Sequence, residues 1–234
     1  MEIDGCLLPE DRRYDLEHDV WWHEEEGGTA RLGILSTLGA FAGPFVSFAF
    51  RPVDGRVEAG RSVATMESVR YTGAVRLPVT AEIVERNPAL PGRPRLLNDA
   101  PYSEGWIVRV RPVDPLPEGS PLETAEAIAA RLRERIRSRH IRCWPATPDA
   151  VLYEIGSECS AVLARLNEEL GRRDAGTHLL LVTDDPTSPI ELVRWSDQTG
   201  YPVLAHRREE GRHEFLVRKE AHPRPRRRPE APAP

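Results

Sequence analysis

Three cysteines, one lysine and seven histidines carry most of the nucleophilic and metal-binding chemistry open to this 234-residue chain. Arginine supplies every other one of the 32 basic residues, so a reaction that needs a lysine amine must use Lys219. Cys6, Cys143 and Cys159 are too few and too scattered for a disulfide framework, which makes a reducing compartment the expectation. Cys6 lies near the N-terminus and Cys143 in a proline-containing stretch, so each reads as an oxidisable thiol without a specific role. The histidines form no closely spaced pair, and His140-Ile141-Arg142-Cys143 offers too few ligands for zinc, so no metal is expected. Asp184-Asp185 could hold a cation, but followed by Pro186 the pair reads as a strand end and a helix cap. Without a phosphate-cradling glycine loop or a serine elbow, an independent enzyme with a complete active site is not supported.

The elements that would position these groups fall into two patterns. A charged fraction of 29% and a net charge of −5 suit a soluble globular chain of one or two domains and exclude a fibrous, collagenous or wholly disordered one. The N-terminus carries acids where a secretory signal would carry bases, so a cytoplasmic protein is expected. The charge-free run Leu32 to Phe50 approaches the roughly 20 residues of a membrane span. Its glycines and Gly43-Pro44 divide it instead into two buried strands around a turn, the second with Val46, Phe48 and Phe50 on one face.

Residues from about 9 to 112 read as β-rich, punctuated by Gly, Pro, Asn and Asp. A helix over 120–140 follows, with Ser120 as cap, Pro121 at its first position and Glu123 three residues after the cap. Leu122, Ala125, Ile128, Ala129, Leu132 and Ile136 form its apolar stripe. Arg131, Arg133, Arg135, Arg137 and Arg139 crowd its far end. Interrupted by Glu134 in an acidic chain, they read as a solvated face and not a nucleic-acid footprint. The expected domains are an extension over 1–8, a β-rich domain over 9–142, a linker over 143–149, a second domain over 150–220 and a disordered Pro/Arg-rich tail over 221–234. In the second domain the strands 151–155, 177–183, 203–207 and 213–219 and the helices 160–170 and 189–199 run in the order βαβαββ. That order describes a small two-layer α+β sandwich.

Pro9-Glu10-Asp11, Tyr14 and Glu17-His18-Asp19-Val20-Trp21 resemble the opening of glycine cleavage H proteins, and Met66-Glu67-Ser68-Val69-Arg70 resembles their lipoylation hairpin. Leu77-Pro78-Val79-Thr80-Ala81-Glu82-Ile83 with Asn87, then Asn98-Asp99-Ala100-Pro101-Tyr102-Ser103-Glu104-Gly105-Trp106-Ile107, continue the resemblance over about 100 residues. It implies a flattened β-barrel of two sheets, a lipoyl-domain-like fold whose hairpin presents a lysine for lipoate. Here Arg70 occupies that position. Amide formation needs a neutral amine, and a guanidinium stays protonated at physiological pH, so lipoate is expected to be absent. Arg70 reads either as a contact for an anionic group or as a surface arginine without a dedicated role.

The last 80 or so residues resemble the TusA/SirA-type sulfur carriers: Gly156 three residues before Cys159, a following helix, Leu179-Leu180-Leu181-Val182-Thr183-Asp184-Asp185-Pro186, and the ending Glu214-Phe215-Leu216-Val217-Arg218-Lys219. The resemblance implies that Cys159, at a strand-to-helix junction, carries a persulfide. Amide donors and the positive helix end there favour a sulfur anion. Ser160 stands where that family usually has proline, Tyr153 where an aspartate is typical, and Glu158 adds like charge beside the thiol.

Together the two resemblances imply a cytoplasmic sulfur-trafficking protein, more a carrier than an enzyme and, if enzymatic, a sulfurtransferase. Its partners are proteins of sulfur transfer or lipoyl-dependent metabolism, without nucleic acid or membrane. A non-catalytic adaptor of two degenerate carrier domains is the alternative, and a working glycine cleavage H protein is disfavoured by the missing lysine.

Overall fold

A computed structural model describes residues 1–114 and 119–222, which fall into two compact units divided between Cys143 and Trp144. Most of the expected tail lies outside the described residues. Among the described residues no helix is long and apolar enough to cross a membrane.

The first unit begins with β1 (Glu2–Ile3), β2 (Cys6–Leu7), β3 (Arg13–Asp15), β4 (Val20–Glu25) and β5 (Thr29–Ile34). Helix α1 (Ser36–Ala42) follows, then β6 (Phe45–Phe50), β7 (Arg56–Val57), β8 (Ser62–Ser68), β9 (Thr72–Arg76) and β10 (Ala81–Arg86). Helix α2 (Leu96–Asp99), β11 (Val108–Pro112), β12 (Glu123–Thr124) and α3 (Ala125–Ser138) complete it. A seven-stranded sheet in the order β12-β3-β4-β5-β11-β10-β7 and a three-stranded sheet β6-β8-β9 share one core, with Val20, Trp22, Leu32 and Ile34 meeting Phe48, Val63, Met66 and Val75. Side chains alternate along β4, so Trp21 points the other way, into a second core with Tyr14, Ile128, Leu132 and Ile136 that seats α3. Gly33, paired with Trp21 across the ladder, leaves room for that indole: a Cβ there would lie 2.6 Å from the ring.

Three local expectations change. Ser36–Ala42 is a helix and not a strand; Thr37, Leu38, Gly39 and Ala42 are all buried, so no polar face betrays its period. In β6 a register shift between Phe45 and Ser47 turns Val46 outward while Phe45 and Phe48 stay buried. The long helix starts at Ala125, because Glu123 and Thr124 are held in a ladder with Tyr14 and Arg13. Thr124 is its cap, accepting the Ala127 amide, while Ser120 caps only a turn at Leu122. The arginines of α3 pair within their own unit: Arg131 with Glu123, Arg135 with Asp19 and Arg137 with Asp4.

The cysteines bring the largest correction. Cys6 and Cys143 form a disulfide whose Cα atoms are 5.0 Å apart, across 137 residues of sequence. Both lie buried in the second core, where β2 meets the chain leaving α3. They are therefore not unspecialised thiols, and Cys143 belongs to the first unit and not to a linker.

The second unit is built from β13 (Ala150–Glu154), α4 (Cys159–Gly171), β14 (His178–Thr183), α5 (Ser188–Thr199), β15 (Val203–Glu209) and β16 (Arg212–Arg218). The sheet order is β13-β14-β16-β15, with only the β13–β14 pair parallel. Val162, Leu166 and Leu170 of α4 and Leu192 and Trp195 of α5 pack on Leu179, Leu181, Phe215 and Val217, placing both helices on one face. Trp195 donates to Asn167 at 2.9 Å, tying the helices together, and Gly200 ends α5 in the left-handed conformation that favours glycine.

Candidate functional site

Cys159 is the first residue of α4, half-buried and the single free cysteine of the described residues. Strands β13 and β14 run parallel, and each leads directly into a helix. The N-termini of α4 and α5 therefore share one end of the sheet. Local hydrogen bonds lock the two connections together. Gly156, at φ +74°, donates its amide to Asp184 at 2.8 Å, and Ser157 donates its hydroxyl to Glu154 at 3.0 Å. Asp185 accepts the Thr187 amide at 2.7 Å and its hydroxyl at 2.6 Å, and the backbone amides of Cys159 and Ser188 lie where they favour its charged form. The aspartate pair thus ends the strand and ties the two loops, but it does not cap α5, which has Thr187 at its cap position and no side-chain cap bond. These bonds, led by those from Thr187, hold the Asp185 carboxyl below its ordinary range.

The thiol behaves in the opposite way. Burial pushes the Cys159 pKa up; a hydrogen bond with Thr187 opposes that, and the carboxylates of Asp185 and Glu191 add to the rise. The favourable helix end is thus offset first by burial and then by Asp185, just before α5, and Glu191 in its first turn, and together these favour the neutral thiol. Glu158, the flanking acid, occupies the cap position of α4 in extended backbone, with no side-chain cap bond. Tyr153 is exposed on β13.

Arg70 sits at the tip of the β8–β9 hairpin, next to Val69, which is 93% exposed. The tip is anchored at its base: the Arg70 amide donates to Ser68 Oγ at 3.2 Å, and that hydroxyl donates to the Ala42 carbonyl at 2.7 Å. The guanidinium lies against Gly43, where a Cβ would be 3.0 Å from Nη2. Asn98 supports the same corner by accepting the Phe45 amide and donating to the Gly39 and Gly43 carbonyls. Nothing at this hairpin fits covalent lipoate, since no amine is present. Lys219 belongs to the other unit, where its ammonium donates to the Leu170 carbonyl.

One grouping escaped the sequence. His206 and His213 stand seven residues apart but lie diagonally adjacent on β15 and β16, ring nitrogens 2.9 Å apart, with His206 stacked on its ladder partner Phe215. Burial, then mutual repulsion for His206 and Arg208 for His213, hold both below the usual imidazole range. A signal existed in the turn at Glu210-Gly211, which makes the two strands a hairpin. Among the described residues no group of three or more His, Cys, Asp or Glu could hold a metal ion.

Comparison with known proteins divides the chain at the same place. The family model for glycine cleavage H-protein matches residues 12–135, and that for sulfurtransferase TusA matches residues 154–219. Glycine cleavage system H protein 5 of Aquifex aeolicus is 39% identical over 145 residues, covering 61% of this chain and 98% of the relative. The H protein of Thermus thermophilus is 40% identical over 107 residues, 46% of this chain and 82% of the relative. Among solved structures, an H protein from Mycobacterium marinum covers 53% of this chain and 98% of its own length at 29% identity and a TM-score of 0.47.

Proposed function

The chain belongs to the glycine cleavage H-protein family through its first unit and carries a TusA domain in its second, and from that premise we propose that it is a sulfur-trafficking carrier whose Cys159 holds sulfane sulfur as a persulfide. The observation that supports this most is the placement of a free, half-exposed thiol at the first residue of α4, where two helix N-termini share one sheet end.

In the loading step Cys159 sulfur attacks the terminal sulfur of a donor persulfide. The donor's S–S bond breaks, a new S–S bond forms at Cys159, and the donor leaves as a thiolate that takes up the Cys159 proton. No external oxidant or reductant is consumed. In the unloading step an acceptor nucleophile attacks the outer sulfur and Cys159 departs as thiolate. The first unit docks a protein partner and carries no lipoate, because Arg70 cannot form the amide. The partners are proteins of sulfur transfer or lipoyl-dependent metabolism, in the cytoplasm. There the Cys6–Cys143 bridge is protected by burial of both sulfurs from thiols in solution.

Incubation with a persulfide donor, followed by mass measurement of the Cys159 peptide, tests this reading. A gain of one sulfur is expected, and an unchanged mass with the thiol accessible to alkylation overturns it. The burial and the nearby acids that push the Cys159 pKa up favour a second reading, a binding-only adaptor. In that case Cys159→Ser leaves both partner binding and cellular function unchanged. Lipoylation is checked separately: intact mass after coexpression with a lipoyl ligase shows no adduct.

A further inference from the structure

Exposed apolar side chains and cations outside direct ion pairs gather at one corner of the first unit. Phe41, near the end of α1, is 42% exposed; Val46, turned outward by the bulge in β6, is 64% exposed, and Val69 at the hairpin tip is 93% exposed. Tyr71 packs edge-on against Phe41, its ring 6.5 Å away, and against the buried Phe45 at 6.3 Å. Two guanidinium groups flank this surface. Arg70 rests against Gly43, and Arg139, just after α3, lies 5.9 Å over the Phe41 ring.

Among the described residues Arg70 forms no ion pair, and Arg139 attracts Asp19 from outside ion-pair contact. The partly buried Asp19 nearby is already bonded to Arg135 at 2.6 Å, and Glu67 is the single carboxylate of the β8–β9 hairpin. Most other arginines of this unit are paired with acids, so two outside direct ion pairs beside exposed aromatic and aliphatic groups stand out. Arginine stacked on an aromatic ring keeps its planar fork free for a carboxylate. Aromatic residues and arginine are also the side chains that dominate binding energy at protein interfaces. The surface is a projecting tip and not a cavity, which suits a protein segment better than a small molecule.

We infer that this corner docks a segment of a partner protein in which acidic side chains flank an apolar one. Arg70 and Arg139 take the carboxylates, and Phe41, Val46 and Val69 take the apolar side chain. The inference rests on the reading of the first unit as a docking element and gives it a location and a partner chemistry. It is independent of whether Cys159 carries sulfur.

The test uses the full chain with its disulfide intact and a fluorescently labelled peptide with glutamates on either side of one phenylalanine, read by anisotropy. The expected result is saturable binding that weakens about tenfold when glutamine replaces glutamate in the peptide. Arg70→Gln and Arg139→Gln each weaken it by a similar factor, and Phe41→Ala does so with little dependence on salt. Arg111→Gln, at an exposed ion pair with Glu82, leaves it unchanged. Absence of binding, equal binding of the glutamine peptide, or indifference to Arg70→Gln and Arg139→Gln overturns the inference. Competition by free octanoate as effective as by the unlabelled peptide also overturns it, in favour of a small-carboxylate site. Because the readout does not involve Cys159, its failure leaves the persulfide measurement standing, and the reverse also holds.

Discussion

Removing the Cys6–Cys143 bridge should destabilise the first unit by several kcal/mol. The cross-link closes 137 residues of sequence, and the chain-entropy relation for a loop of that length gives about 5 kcal/mol at 25 °C as the cost of restoring freedom to the unfolded chain. Native disulfides commonly deliver about 2–5 kcal/mol, and residual structure in the unfolded state brings the expectation to about 3–4 kcal/mol. Cys6→Ala with Cys143→Ala removes the bond and leaves two small apolar groups in a buried site, so little new polar cost is added. For a unit of this size each kcal/mol moves the midpoint by about 3–4 °C, so Tm falls by roughly 10–15 °C. The assay is thermal and guanidinium unfolding followed by tryptophan fluorescence, where Trp21, Trp22 and Trp106 report on the first unit and Trp144 and Trp195 on the second. Reductant should reproduce the effect in the wild-type chain and leave the second unit's transition in place. Alkylation under denaturing conditions should count one free thiol before reduction and three after. Three free thiols in the untreated protein, or a midpoint shift under about 3 °C, would refute the reasoning.

Glu191→Gln removes one of the carboxylates that push the Cys159 pKa up, so its alkylation by iodoacetamide at neutral pH should accelerate by about two- to fivefold, measured as rate against pH. His206 and His213 are held below the ordinary imidazole range. The unfolded chain therefore binds protons that the folded one does not, and stability present above pH about 6.5 is lost as pH falls toward the folded values. His213→Phe should flatten that acid-side slope in denaturant titrations of the second unit, and an unchanged slope counts against the assignment. Asn98→Ala leaves the Phe45 amide and the Gly39 and Gly43 carbonyls without their partner. It should cost about 2–4 kcal/mol by the same unfolding assay.

How much of this was legible depended on whether the decisive contact was local. The second unit's strands and helices follow their periodicity to within a residue or two, because each amphipathic segment faces one shared core. Helix α1 is hidden because it has no charged residue, Thr37 is buried with Leu38 and Ala42, and the exposed position Phe41 is apolar, so no polar face marks its period. The start of α3 was misplaced because its real limit is set by a ladder with Arg13 and Tyr14, more than a hundred residues away. The disulfide had no local signature, since only the fold brings β2 beside the end of α3. At the candidate site the position of Cys159 at a strand-to-helix junction was readable. The influence of Thr187, Asp185 and Glu191 was not, because it arises only when two parallel strands set two helix N-termini side by side. At the hairpin, Arg70 was readable as a chemical change, while its company of Phe41 and Arg139 required α1 and α3 to be in place.

The most direct measurement is the mass of the Cys159 peptide after the intact chain meets a persulfide donor, with the Cys159→Ser variant alongside. The account predicts a gain of one sulfur at Cys159, reversed by reductant and absent from the variant. An unmodified Cys159 peptide, from protein whose thiol still reacts with an alkylating agent, would contradict it.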